Sequence, residues 1–428
     1  MGRWSRALAI LILTLAVSGC GQASPASQHG AGSSGSARGG TTETVTPPLP
    51  TAPSFTRIQM TSAADGWARL QVGERPPDLR WPIVRTADGG LTWVNVSPWA
   101  AGRGPAGGFV ATDFLSADQA WVAVGGASAT AGRQSVMIYH TTDGGRVWSQ
   151  TVTRVGFPYG GQILPLAFSF AGTSDGWLMV QPEHGMSSEP GELLATTDGG
   201  HSWKQVATTY GPDGRRGGLP FGGRIAFVNA TTGWLAGGTA STIDNLLYAT
   251  HDGGRTWQPV ALPLPAGRTR QQMVVSPPTF SGAQGVLPVW FQGRAATYLY
   301  VSDNGGATWR STRPVPSAMV DVVAVDDVVA VDGETLYRTG DGGRTWQAVR
   351  GGGVLPAVLA PAGASLGGVD FAGTRDGWLT GREPQRPITR KSQWATTPFS
   401  NFLLRTSDGG RTWSRVEPVM TGRRQAAK

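Results

Sequence analysis

Few residues of this chain have the types and spacing that catalysis needs. Glu183, Glu189 and Glu192 fall in one short stretch and could supply the carboxyl pair of a glycoside-cleaving site. Such a pair must stand roughly 5 to 9.5 Å apart, and nothing in their spacing selects two of the three. The five His are scattered, with neither His-x-His nor His-Glu-x-x-His, so no metal site is expected. Gly-x-Ser-x-Gly is absent, and no helix pattern follows the Gly-rich stretches, so they read as turns and not as phosphate loops. No cofactor is expected. The chain's one cysteine, Cys20, excludes an intrachain disulfide.

Cys20 has a different chemistry in prospect. Arg3 and Arg6 precede an apolar run from Ala7 to Val17, and Val17-Ser18-Gly19-Cys20 resembles a bacterial lipobox, in which the cysteine becomes the lipidated N-terminus after cleavage. The run is too short for a stable transmembrane span. Residues 1–19 are therefore read as a signal peptide and Cys20 as the lipidation site. Residues 20–50, rich in Gly, Ser, Ala, Thr and Pro, are read as a flexible spacer. The expected location is outside the cytoplasmic membrane, lipid-anchored to its outer leaflet or, in a two-membrane envelope, in the periplasm or outer membrane. The membrane is then a partner through the anchor, and nucleic acid is not.

The rest of the chain is dominated by one repeat. Ser/Thr-x-Asp-Gly-Gly-x-x-Trp begins at Thr86, Thr141, Thr196, Thr250, Ser302, Thr339 and Thr406. Its acidic positions are Asp88, Asp143, Asp198, Asp252, Asp341 and Asp408, with Asn304 in the fifth copy. Its aromatic positions are Trp93, Trp148, Trp203, Trp257, Trp309, Trp346 and Trp413. The glycine pair supplies positive φ, the hydroxyl and the carboxylate can satisfy the turn's own backbone, and the Trp can cover the turn. Each of these roles is structural.

A second motif precedes the boxes. Asp65-Gly66-Trp67, Asp175-Gly176-Trp177 and Asp376-Gly377-Trp378 have variants at Thr232-Gly233-Trp234 and Gln119-Ala120-Trp121. A short alternating apolar stretch lies before each. Every unit thus reads as strand, tight turn, strand with Trp, variable loop, strand ending at the box, box turn, and strand beginning at the box Trp. That is a four-stranded antiparallel sheet, the unit of a propeller blade. The short sixth unit still supplies three strands, at 319–325, 328–331 and 336–339, and Gly285 to Phe291 can be the second strand of the fifth. Helical periodicity over ten or more residues is absent. The expected fold is all-β: one seven-bladed propeller over residues 51–418 with a tail at 419–428.

These boxes resemble the Asp-box, or BNR, repeat of sialidases, sortilin-type receptors and related propellers, where the box stabilises a hairpin and is not the active site. Over the whole chain the resemblance is to the single-propeller WD/YVTN/BNR-like group that contains the photosystem II assembly and stability factors. In that group a basic patch on the propeller binds a membrane-protein precursor. The sialidase reading finds no signature here, since Arg57-Ile58 is followed by Gln59 where Arg-Ile-Pro would be required. Asp-box xyloglucanases place their carboxylates between two propellers, and this chain has one.

Blade topology places the first-to-second turns and the box turns on one face. The second-to-third loops and the blade-to-blade connections fall on the other. The variable segments, among them 97–108, 181–192, 207–224 and 381–400, all map to that second face, and there Arg and Lys outnumber Asp and Glu. The net charge of the whole chain is +8, which permits acidic partners without naming one. The last-blade loop carries Arg382, Arg386, Arg390, Lys391, Trp394 and Phe399. Arg and aromatic residues are enriched at interaction hot spots, so Arg382, Arg386, Arg390, Lys391 and Trp394 are the candidate binding residues. The expected function is a monomeric, membrane-tethered scaffold or assembly factor for envelope or membrane proteins. A carbohydrate-binding propeller and a sialidase-like or glycoside-acting enzyme are the alternatives.

Overall fold

The computed structural model describes residues 54–422, apart from 74–79, 100–108, 129–133, 158–160, 184–189, 211–216, 238–245, 293–295, 318, 362 and 386–397. The expected signal peptide, Cys20 and spacer lie outside the described residues, as do Arg386, Arg390, Lys391 and Trp394.

Seven antiparallel sheets follow one another along the chain. Blade one is Ser54–Met60, Gly66–Gln71, Ile83–Thr86 and Thr92–Asn95, and blade two is Val110–Phe114, Ala120–Gly125, Gln134–Thr141 and Ser149–Val155. Blade seven ends the series with Ser365–Phe371, Gly377–Pro384, Phe399–Thr406 and Thr412–Val416. The strands run in order from innermost to outermost, as the repeat requires. In blade five the innermost strand is split into Met273–Val275 and Thr279–Ser281, both paired with Gln284–Phe291. The only helical turns among the described residues are Arg270–Gln272 and Leu355–Leu359.

Burial explains why the inner strands lack a strict apolar and polar alternation. Ala120–Gly125 is buried at all six positions, because each blade packs both its faces against neighbours. Apolar residues are therefore favoured at every position, as in any strand covered on both sides. Seven separate apolar clusters result, each spanning one seam between consecutive blades. One of them joins Trp93, Leu70 and Met60 of blade one to Trp378 and Leu403 of blade seven, and so closes the ring.

In five blades a Trp near the start of the second strand, Trp67, Trp121, Trp177, Trp234 or Trp378, packs into the seam with the next blade. Trp121 stacks on Phe170 of the next blade at 3.6 Å, Trp177 on Phe227 at 3.7 Å and Trp234 on Phe280 at 4.2 Å. Trp121 and Trp177 also reach the next blade's box through Nε1: Trp121 donates to the carbonyl of Gly199 at 2.8 Å and Trp177 to that of Gly253 at 3.0 Å. The glycine before this Trp has a steric cause. A Cβ at Gly176 would lie 2.2 Å from the Phe170 ring, and one at Gly377 would lie 2.5 Å from Phe371.

The ring also closes at its outer edge. Val419–Thr421 pairs in parallel with Thr92–Val94, adding a fifth strand to blade one. These three residues lie in the stretch expected to be a tail. Gly352–Gly353 extends blade seven in the same way, parallel to Thr412–Trp413.

Candidate binding face

The two tight turns of each blade do share one face, and they are hydrogen-bonded together in all seven blades. The amide of the first box glycine donates to a carbonyl of the first-to-second turn, as Gly89 does to Ala64 at 2.7 Å and Gly409 to Arg375 at 2.9 Å. Within the sixth box, Thr339 donates to Asp341 Oδ1 at 2.7 Å and accepts the Gly343 amide at 2.8 Å. Asp341 in turn accepts the Thr345 amide and hydroxyl at 2.9 and 2.6 Å. These bonds, the Thr345 hydroxyl first, hold the Asp341 carboxyl down to about 2. Asn304 keeps the same turn with one bond reversed, its Nδ2 donating to Thr308 Oγ1 at 2.9 Å. The hydroxyl, carboxylate or amide, and glycine positions of the boxes thus make the bonds of their own turns.

The box Trp is less uniform. Trp93, Trp203, Trp257, Trp309 and Trp413 cover their own turns, each Nε1 donating to the second box glycine's carbonyl at 2.9 to 3.1 Å. Trp148 and Trp346 reach back instead to the preceding blade, to the carbonyls of Val96 and Arg313.

On the opposite face, the last-blade loop is clamped at its base by the Gln385 amide, which donates to Pro398 O at 2.9 Å. Gln385 Nε2 adds a bond to Ser400 Oγ at 3.1 Å. Arg382 stands beside this clamp. Its guanidinium lies over the Phe399 ring at 4.8 Å, and its Nε donates to Ser365 Oγ at 3.3 Å. Arg415 next to it is paired with Glu383 at 2.7 Å and with Glu417. Arg382, one of the candidates, is therefore brought together with Phe399 of the same loop.

A second basic group was not legible in the sequence. Arg57 and Arg69 are cross-strand partners in blade one. Arg224, on the innermost strand of blade four, comes within electrostatic range of Arg57 across the ring axis. Arg57 donates to Thr112 O at 2.5 Å and to Gln59 Oε1 at 2.9 Å, while its Nε is buried with no partner. Burial lowers its pKa, Arg224 adds to that, and Asp113 and Asp370 oppose it. Arg69 lies over Trp81 at 5.3 Å and bonds Val110 O, and burial, followed by Arg57, lowers its pKa to about 10. The signal that could have found the group is an arginine on the innermost strand of a blade, at Arg57 and again at Arg224.

The two described Glu of the carboxylate-rich stretch sit in different surroundings. Glu192 is buried at the start of the third strand of blade three and accepts the Gly156 amide at 2.8 Å. Burial pushes its pKa up to about 7. Glu183 is exposed, and Glu189 lies outside the described residues. No cluster of three or more His, Cys, Asp or Glu that could hold a metal ion occurs among the described residues.

A family model described as the photosynthesis system II assembly factor YCF48 matches residues 223–384, from the Arg224 strand of blade four to the Arg382 strand of blade seven. The chain is a BNR-type propeller resembling the photosystem II assembly factors. This BNR-type propeller is also 27% identical over 180 residues to a probable oligoxyloglucan-reducing end-specific xyloglucanase of Neosartorya fischeri, across 40% of this chain and 19% of that protein. Among solved structures, YCF48 from Cyanidioschyzon merolae is 21% identical, covers 78% of this chain and 94% of its own, and has a TM-score of 0.46. The GH74 xyloglucanase from Xanthomonas campestris is 15% identical, covers 85% and 67%, and also has a TM-score of 0.46.

Proposed function

We propose that this protein is an exported, lipid-anchored scaffold that holds an envelope or membrane protein against the variable face of its propeller. The observation that carries this reading is the division of polar chemistry between the two faces. On the box face the carboxylates and hydroxyls of the boxes are spent on their own turns and the first box amides on the neighbouring turn. On the variable face Arg382 is exposed over Phe399, at the base of a loop that carries three more cations in sequence. A rigid scaffold presenting loops of this composition suits protein recognition. The family match over residues 223–384 supports the same reading, since it spans the two strands that present Arg224 and Arg382.

Two triple variants test it. One neutralises Arg382, Arg386 and Arg390; the other neutralises Arg146, Arg255 and Arg344 on the box turns. Both lose the same charge, and salt screens both alike, with a Debye length of about 8 Å at physiological strength. Partners captured from detergent-solubilised membranes should be lost with the first variant alone. Equal loss would mean diffuse electrostatics, and loss with the second alone would move the working surface to the box face. The anchor is tested separately: Cys20→Ser should release the protein from the membrane fraction, and full retention would overturn the lipidation reading.

A further inference from the structure

Exposed apolar side chains are concentrated on one sector of the rim. Among the described residues eight large apolar side chains are exposed. Five of them belong to blades one and two: Leu91 and Val147 in the box turns, Val94 and Val152 on the outermost strands, and Val419 on the added strand. The Val419 amide donates to Leu91 O at 2.9 Å, and Val419–Thr421 pairs with Thr92–Val94. The second box sits against the end of that strand, with Trp148 Nε1 donating to Val96 O at 2.7 Å. Val152 follows on the outermost strand of blade two.

Val147 shows that this is more than chance exposure. In the six other boxes the residue before the Trp is Ser or Thr, and its hydroxyl bonds the box Asp or Asn. Val147 gives up that bond, and its side chain is 69% exposed, so burial does not compensate for it. Leu91 departs similarly: its counterparts in the other boxes are Arg, His or Ala. A grouping of exposed apolar side chains on two neighbouring blades is a candidate contact surface.

We infer that this rim rests on the lipid bilayer, its aliphatic side chains entering the interface while Arg146 and Arg154 meet anionic headgroups. The inference builds on the anchored reading above. The described chain opens at Ser54 in blade one, the same blade that carries three of the five residues. The 33 residues from Gly21 to Pro53, read from their composition as a spacer, would span about 30 Å if they behave as a flexible coil. A tether of that reach keeps this rim at high effective concentration against the membrane. Shallow insertion of apolar side chains beside basic ones is the usual chemistry of a surface-bound protein.

The test needs no anchor, which separates it from the lipidation reading. Strands between Ser54 and Thr421 close the ring by themselves, so a chain lacking residues 1–20 keeps the propeller. Its co-sedimentation with phosphatidylcholine vesicles containing a quarter phosphatidylglycerol is compared with that of a Val147→Thr, Val152→Thr double variant. Val147→Thr restores the hydroxyl that the other boxes carry, so folding is not at risk. Vesicle partitioning should fall by about tenfold with an unchanged or higher Tm, while Leu264→Thr, exposed elsewhere on the propeller, should leave it unaltered. Absence of vesicle binding by the unmodified chain, or equal binding by all three, overturns the inference. So does a self-association seen in sedimentation velocity that the double variant abolishes without any vesicle binding, which would assign the rim to a second copy of the chain.

Discussion

The indole Nε1 of Trp378 donates to the carbonyl oxygen of Gly89 at 2.9 Å, joining residues 289 apart in the chain. It is the same latch that Trp121 and Trp177 make to the next blade, used here to bind the seventh blade to the first. Asp370 works beside it, accepting the Met60 amide at 2.7 Å. Trp234 occupies the equivalent place in blade four, fully packed, but its Nε1 is buried with no acceptor. This contrast makes a prediction. Trp378→Phe should cost about 1–3 kcal/mol more than Trp234→Phe, because the first leaves a buried carbonyl orphaned and the second removes a donor that has no partner. Denaturant midpoints of the two variants check it; equal losses would mean that the indole bond adds nothing to closure.

The added strand at 419–421 predicts a local effect. A stop codon after Pro418 removes three backbone pairings and exposes the outer edge of Thr92–Val94. Global stability should fall by about 1–2 kcal/mol, with hydrogen-bonded backbone as the main loss. Hydrogen exchange should speed up in Thr92–Asn95 well before it does in the innermost strand Ser54–Met60. Uniform acceleration across all blades would show instead that this strand controls the whole ring.

What the sequence disclosed follows from how local each constraint is. The box is legible because its φ requirements and hydrogen bonds fall within eight residues: Gly199 and Gly200 sit at φ 72° and 96°, and only glycine takes such values cheaply. Seven boxes then fix the blade count and both faces. The role of Gly176 was only half legible, since the motif marks a turn while the steric demand comes from Phe170 on the neighbouring strand. Arg57 was illegible because its partners Thr112 and Asp113 lie on the next blade. A three-residue parallel strand such as Val419–Thr421 has no periodicity to detect, and its partner is more than 300 residues away.

Glu192 predicts a pH dependence. Its folded pKa is about 7 and its ordinary value is 4.5, so the folded state favours the protonated form. This contribution to stability is fully present below pH 4.5 and is lost as pH rises through 7, by up to about 3 kcal/mol at 1.36 kcal/mol per unit. His140 acts at the acid end with the opposite sign. Burial and then His201 lower its pKa to about 4 from 6.5, so its contribution is lost as pH falls through that window. Comparing the unmodified chain with Glu192→Gln cancels the His140 effect. Between pH 5 and pH 8 the unmodified chain should lose more urea resistance than the variant, and the variant should be the more stable of the two at pH 8. Parallel pH curves would place Glu192 in contact with water.

The two classes of box Trp should respond differently to truncation. Trp257 is buried, covers its own turn through Gly254 O at 2.9 Å and meets the Phe227 ring edge-on at 6.1 Å. Trp257→Ala leaves a cavity at the seam between blades three and four and should cost about 3–5 kcal/mol. Trp346 is only half-buried, and its Nε1 reaches Arg313 O across the seam at a longer 3.3 Å. Trp346→Ala removes less buried area and a weaker bond, so about 1–2 kcal/mol is expected. Both residues follow the same eight-residue motif, so the difference depends on where the ring points and not on the box itself. Thermal melts of the two variants at one pH decide it. A Trp346→Ala loss as large as that of Trp257→Ala would mean that the reach to the preceding blade holds the seam as strongly as the turn cover does.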